Sequence, residues 1–109
     1  MRADRRTIRV YRAPDGEFPF IVWLRSIEDS KVRSRLRARL KLLQLGHLGD
    51  WKTVGGGVLE LRMHFGSGWR VYVGLPDLRR AVLLWGGEKN TQSRDVARAR
   101  CYGADFQVE

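Results

Sequence analysis

The amino-acid sequence predicts a single α+β domain over residues 1–109, with the element order β-α-α-β-β-β-α. The length of 109 residues is close to the commonest domain size and leaves no room for a second domain. Apolar residues recur at helical spacing in the first half of the chain and at every second position in the second half. Hydrophobic residues make up 43% of the chain, which is enough for an ordinary packed core.

The first half of the chain predicts a strand followed by a helix hairpin. A flexible basic segment is expected over 1–7 and a short strand over 8–11, which Pro14 and Gly16 end in a turn. The first helix is predicted over 18–28 and the second over 31–45, with Asp29-Ser30 between them and Gly46 as the stop. We expect the two helices to pack together on one face of a sheet.

The second predicted helix is rich in positive charge. Its basic residues fall at nearly every second position, so we expect them to surround the helix and not to form a stripe. They fit either an RNA-binding helix or an ordinary solvated face, and the second is the commoner case. The residues are Lys31, Arg33, Arg35, Arg37, Arg39 and Lys41.

The second half of the chain predicts a loop, three strands and a terminal helix. Glycines predict a loop over 47–57, and the alternation from Val58 predicts a hairpin whose loop is Gly66-Ser67-Gly68. The remaining elements are a turn at Leu75-Pro76-Asp77, a strand over 81–85 ended by Gly86-Gly87, and a helix over 91–102 capped by Asn90 or Thr91.

This hairpin would sort its side chains onto two faces of an antiparallel-rich sheet. A three-residue loop would place His64 opposite Arg70 and Arg62 opposite Tyr72. One face would be apolar and covered by the helices, and the other would be polar and open. Because two arginines and a histidine repel one another, an anionic ligand would complete the polar face. The alternative is a solvated sheet face on which Glu60 neutralises Arg62.

The charge balance points to a polyanion as the partner. Lys and Arg number 21 against 12 Asp and Glu, a net charge of +9, and nucleic acid is the default partner for such a domain. A basic surface without a polyanion target remains the alternative. The single cysteine, Cys101, excludes an intrachain disulfide and a cysteine-based metal site. The charged N-terminus has no apolar segment of the kind found in signal peptides, and no apolar run is long enough to span a membrane. We therefore expect a cytoplasmic protein.

The polar face carries residues suited to cleaving RNA without a metal or other cofactor. Arg62 and Arg70 would stabilise charge on a scissile phosphate, and Lys52, Lys89 or His64 would act as general acid or base. Tyr72 would either stack on a base or orient a phosphate. No pair of carboxylates suggests a metal site, which leaves attack by the 2′-hydroxyl of the RNA itself, with a 2′,3′-cyclic phosphate as the product.

Three motifs in order carry a family resemblance: the segment 56–62 with its Glu-Leu-Arg, the segment 69–72 with its Arg-Val-Tyr, and the segment 83–89, which ends Gly-Gly-Glu-Lys. Together they resemble the RelE/ParE toxin superfamily, and most closely its HigB-like addiction module killer branch. The resemblance implies a RelE-like domain and places Arg62, Arg70 and Lys89 in the active site. Lys52 falls in the loop where some relatives keep basic residues. Ribosome-dependent relatives often use a Tyr or His near the C-terminal end of the site, but this chain departs from that pattern and reads Asn90-Thr91-Gln92-Ser93-Arg94. Of these residues, Arg94 is expected to bind RNA.

The resemblance also implies a function. It implies a toxin of a type II toxin–antitoxin system, a ribosome-dependent mRNA interferase that a cognate antitoxin neutralises. The antitoxin would be a helix-turn-helix protein encoded next door, and the other partner would be mRNA on the ribosome, with no membrane and no metal involved. Two alternatives are a ParE-like poison of DNA gyrase and a non-catalytic relative that binds RNA or the antitoxin.

Overall fold

The computed structural model describes residues 5–108 and confirms an α+β fold. Of the segment predicted to be flexible, residues 1–4 lie outside the described part, and Thr7 already begins a strand. A short 3-10 turn, Lys89–Thr91, precedes the last helix. The other elements are β1 (Thr7–Val10), α1 (Pro19–Ser26), α2 (Ser30–Gln44), β2 (Trp51–Thr53), β3 (Val58–Arg62), β4 (Trp69–Asp77), β5 (Arg80–Glu88) and α3 (Gln92–Val108).

The five strands form one mixed sheet in the order β1-β5-β4-β3-β2. β1 runs parallel to β5, and the other three pairs are antiparallel. The helix hairpin between β1 and β2 is confirmed, with bounds that differ by one or two residues from those predicted. Asp29 caps α2 by accepting a hydrogen bond from the Lys31 backbone, and Gly46, at a φ of 100°, follows its C-terminal end.

The predicted element order is wrong by one strand, because Trp51–Thr53 pairs with β3 where a loop was expected over 47–57. The glycines at 55, 56 and 57 all have positive φ, so they confine the reversal of the chain to a tight turn. The residues before that turn are then free to pair. The extra strand sets one edge of the sheet.

Two predicted strand ends are also wrong. β4 continues through Leu75-Pro76-Asp77, and the turn falls at the next two residues, 78 and 79. Pro76 is tolerated there because the β4–β5 pairing is irregular between Gly74 and Asp77. β5 continues through Gly86-Gly87, which pair with Val71 and Arg70.

Helices cover both faces of the sheet. On one face, α1 and α2 bury a core that includes Phe20, Trp23, Leu36 and Leu43. On the other face, α3 packs through Ala99 against a second core. The expectation of one open polar sheet face is therefore wrong, because α3 is longer than predicted and covers much of that face. Within residues 5–108, no helix is both long and apolar enough to cross a lipid bilayer.

Candidate functional site

An open cleft of about 560 Å³, named the basic cleft here, lies where β2, the β3–β4 loop and the start of α3 meet. It brings together all four residues predicted to be catalytic and one of the three predicted to bind RNA. A larger cavity of about 650 Å³ between α3 and the β2–β3 loop contains none of them. The residues that line the basic cleft are Lys52, Arg62, His64, Phe65, Gly66, Ser67, Gly68, Arg70, Lys89 and Gln92.

The pairing of β3 with β4 differs by two residues from the predicted register. Arg62 lies opposite Arg70, and Glu60 lies opposite Tyr72. The cause is a longer connection, since β3 ends at Arg62 and β4 begins only at Trp69. A shift of two residues leaves every side chain on its predicted face. It also moves His64 off the strand into the loop, where its side chain is 71% exposed.

Asp50 holds the outer part of the basic cleft together. Arg62 Nη2 donates to Asp50 Oδ1 at 3.2 Å, and His64 Nε2 contacts the other carboxylate oxygen. The hydrogen bond from His64, and then that from Arg62, lower the pKa of Asp50 below its ordinary value. Sequence reasoning missed this residue, because its position follows from the pairing of β2 with β3, where Arg62 N donates to Asp50 O at 2.9 Å.

Glu60 holds the inner part of the cleft, and its side chain is completely buried. Arg70 Nε lies 3.7 Å from Glu60 Oε1, and Tyr72 donates its hydroxyl to Oε2 at 3.0 Å. Gln92, at the start of α3, donates to both carboxyl oxygens at 3.1 and 2.8 Å. A buried carboxyl group needs such partners, because it has lost its hydration. The expectation that Glu60 neutralises Arg62 on a solvated face is therefore wrong.

Arg70 forms part of the floor of the cleft. It is 7% exposed, and its Nη1 donates to Gly68 O at 3.0 Å. Within the described part of the chain, its Nε has no hydrogen-bond partner and faces Glu60 as an ion pair. Arg62 and Arg70 thus have anionic partners from the chain itself. The argument that their repulsion requires a bound anion does not hold.

Tyr72 cannot stack on a base, because its side chain is fully buried under α3. Burial, followed by the nearby Glu60, raises its pKa above the ordinary value, so the hydroxyl stays protonated and donates. Its role in the structure is to support Glu60. The prediction of Tyr72 as an RNA contact is wrong for this physical reason.

The three other predicted basic residues lie at or beside the cleft. Lys52 is exposed on β2 opposite Glu60, and Lys89 is exposed directly after β5. Arg94 is exposed on α3 but lines a separate, shallower depression with Lys89. Over residues 5–108, no group of three His, Cys, Asp or Glu side chains could hold a metal ion.

The arrangement combines positive charge with a side chain suited to proton transfer. Because Nε2 of His64 donates to Asp50, the neutral ring would carry its lone pair on Nδ1, which points away from that bond. Lys52 and Lys89 are exposed ammonium donors at the rim, and Arg62 and Arg70 present guanidinium groups on the wall and floor. Such a cleft can bind a phosphate, accept one proton and supply another.

Fold and site together define an α+β protein with a basic cleft at one end of its sheet, supported by two carboxyl groups. The chain is 38% identical over 81 residues to a Haemophilus influenzae protein described as an uncharacterized protein. The aligned region covers 74% of this chain and 82% of that protein. The chain belongs to the same family as this Haemophilus protein. No protein-family model matches the chain. No solved structure matches it either.

Proposed function

We propose that the chain is a RelE-like toxin of a type II toxin–antitoxin pair and cleaves mRNA on the ribosome, in the cytoplasm. One observation carries the proposal: Arg62, His64, Arg70 and Lys89 converge on one cleft, although they come from β3, the β3–β4 loop, β4 and the end of β5. The motifs that resemble this superfamily contain three of these four residues. The net charge of +9 fits a polyanionic substrate.

The course of the chain also supports the proposal. The resemblance implies a strand, a helix hairpin, three antiparallel strands and a terminal helix, and the chain contains these elements in that order. The short strand β2 is added between the hairpin and the sheet. Because β2 brings Asp50 beside Arg62 and places Lys52 at the rim, the addition contributes to the site.

The residues of the cleft fit a metal-free transesterification. Nδ1 of His64 would take the proton of the 2′-hydroxyl, whose oxygen attacks the adjacent phosphorus. Arg62 and Arg70 would stabilise the charge that develops on the phosphoryl oxygens. As the bond from phosphorus to the 5′-oxygen breaks, Lys89 would protonate that oxygen. The products are a 2′,3′-cyclic phosphate and a 5′-hydroxyl, so atoms and protons balance.

Induced expression in a bacterial host tests the proposal. We expect growth arrest together with new RNA 5′ ends that disappear when translation is blocked. Lys89→Ala should relieve the arrest, whereas Arg37→Ala, which removes an exposed arginine of α2, should not. Double-strand breaks in DNA that depend on gyrase, without RNA cleavage, would favour the ParE-like alternative. Normal growth at high soluble expression in several hosts would contradict the proposal.

A further inference from the structure

The six basic residues of α2 form two stripes, one on each side of the buried face of the helix. An α-helix has about 3.6 residues per turn, so Lys31, Arg35 and Arg39 lie on one side and Arg33, Arg37 and Lys41 on the other. Leu36 and Leu43 mark the buried face between them. The expectation that the basic residues surround the helix without forming a stripe is therefore wrong, because they form two stripes that flank the buried face.

The stripe of Lys31, Arg35 and Arg39, named the cleft-side stripe, reaches the basic cleft through Arg35. Arg35 places its guanidinium carbon 4.7 Å from the centroid of the Phe65 ring, and Phe65 lines the cleft. One turn later, Arg39 Nη2 donates to the backbone oxygens of Leu48 and Asp50, the second at 3.4 Å. On the other stripe, Arg33 instead donates to the backbone oxygens of Ile27 and Glu28, which directly follow α1.

The contact of Arg35 with Phe65 places a guanidinium group over an aromatic ring. A guanidinium group over an aromatic ring is held by cation–π attraction and is more weakly hydrated than an ammonium group. The outer face of such a guanidinium can accept a nucleobase, which is a common way for proteins to hold unpaired bases of RNA. Arg35 is exposed, so that face is accessible.

We infer that the substrate is single-stranded RNA that passes from the basic cleft onto α2, with one base stacked on Arg35 over Phe65. The inference rests on the proposed function, since it takes the ligand of the cleft to be RNA. It adds a binding surface on α2 and a base contact beside the scissile phosphate. A duplex would not offer an unstacked base to Arg35, so the contact selects single strands.

A binding titration with full-length protein tests the inference. The probe is a fluorescent 2′-O-methyl RNA, which lacks the nucleophile and is not cleaved during the measurement. We expect Arg35→Ala and Phe65→Leu to weaken binding about tenfold, the usual scale for loss of one stacked base. Arg35→Lys should not restore binding, because an ammonium group has no plane on which a base can stack. Arg37→Ala, the matched control, should change affinity only slightly.

An abasic scan separates stacking from charge. At one position of the probe, removal of the base should weaken binding to the wild type but leave binding to Arg35→Ala unchanged, because the same contact is already missing. The inference would be overturned if removal of the base weakened binding equally in the wild type and in Arg35→Ala. It would also be overturned if Arg35→Ala and Arg37→Ala bound the intact probe with equal affinity. A wild type that binds the probe through Arg35 but cleaves no mRNA on the ribosome would contradict only the proposed function.

Discussion

Arg70 and Glu60 occupy the interior end of the basic cleft, with side chains 9% and 0% exposed. In this position each group compensates the charge of the other, and neither can be removed alone without leaving a buried charge. The arginine most central to the proposed chemistry is therefore also a structural residue. Loss of toxicity in Arg70→Ala would not distinguish a catalytic defect from unfolding.

The buried pair predicts strongly non-additive stability effects. Arg70→Met alone should lower the free energy of unfolding by about 3–5 kcal/mol, the usual cost of breaking a buried pair. Adding Glu60→Gln should recover part of this loss, because the pair then leaves no unpaired charge and the amide oxygen can still accept from Tyr72 and Gln92 at the position of Oε2. Urea unfolding of both single variants and the double variant measures the coupling. Simple additivity would show that the two side chains do not interact.

Asp50 predicts an acid-dependent contribution to stability. The hydrogen bond from His64, and then that from Arg62, lower its folded-state pKa below the ordinary 3.8. The stabilisation that ionised Asp50 provides is thus fully present above pH 3.8, and it is lost as the pH falls through the lowered pKa of the folded state. Thermal unfolding of wild type and Asp50→Asn should differ most near neutral pH and converge in strong acid. A difference that widens in acid would contradict this assignment.

At the scale of elements, Gly86 and Gly87 show how the helices approach the sheet from both sides. A Cβ atom at Gly86 would lie 2.3 Å from the Trp23 ring of α1, and one at Gly87 would lie 1.9 Å from Asp95 Oδ2 of α3. Two adjacent strand residues face opposite ways, so each glycine admits a helix on its own face. Asp95 in turn accepts a hydrogen bond from Trp85 Nε1 at 3.0 Å.

These contacts predict that Gly87→Ala is strongly destabilising although Gly87 is a strand residue. The added methyl group would displace Asp95, at a cost of about 1–3 kcal/mol or more. Gly74→Ala on β4 is the matched control, because its Cβ would meet its nearest neighbour only at 4.0 Å and lie in ordinary contact. Thermal unfolding compares the two variants. Equal stability of both would mean that α3 does not pack against β5 at this point.

The pattern of apolar residues was enough to predict the helix hairpin, the central hairpin and the two faces of the sheet. It could not predict Asp50 or the role of Glu60, because both depend on contacts between residues distant in the sequence. Gly86-Gly87 was interpreted as a strand end, since glycine has weak strand propensity, and tertiary packing on Trp23 and Asp95 overrode that propensity. The polar positions of β3 and β4 predicted an open face, and nothing in their alternation revealed that α3 would cover it.

At the scale of the whole molecule, one pair of exposed apolar side chains lies at the start of α1, outside the basic cleft. Phe18 and Val22 are 41% and 50% exposed, and neither lines the cleft. The guanidinium carbon of Arg12 lies 5.6 Å from the centroid of the Phe18 ring, so this apolar surface also has a cation at its border. A neutralising antitoxin of the proposed kind would be captured by charge and held by apolar contact. The α1 surface offers that contact without use of the cleft.

Because Phe18 and Val22 do not line the cleft, we predict that the proposed antitoxin would block ribosome entry by its bulk and leave the cleft uncovered. The double variant Arg62→Ala with Lys89→Ala should then bind the antitoxin with nearly unchanged affinity, because these side chains lie in the cleft. Phe18→Ser with Val22→Ser should weaken binding about tenfold or more, since a few residues near the centre of an interface carry most of its energy. Calorimetric titration of the purified pair measures both effects, and circular dichroism confirms that each variant is folded. Loss of most of the affinity in the cleft variant, with the α1 variant unaffected, would instead place the antitoxin directly over Arg62 and Lys89.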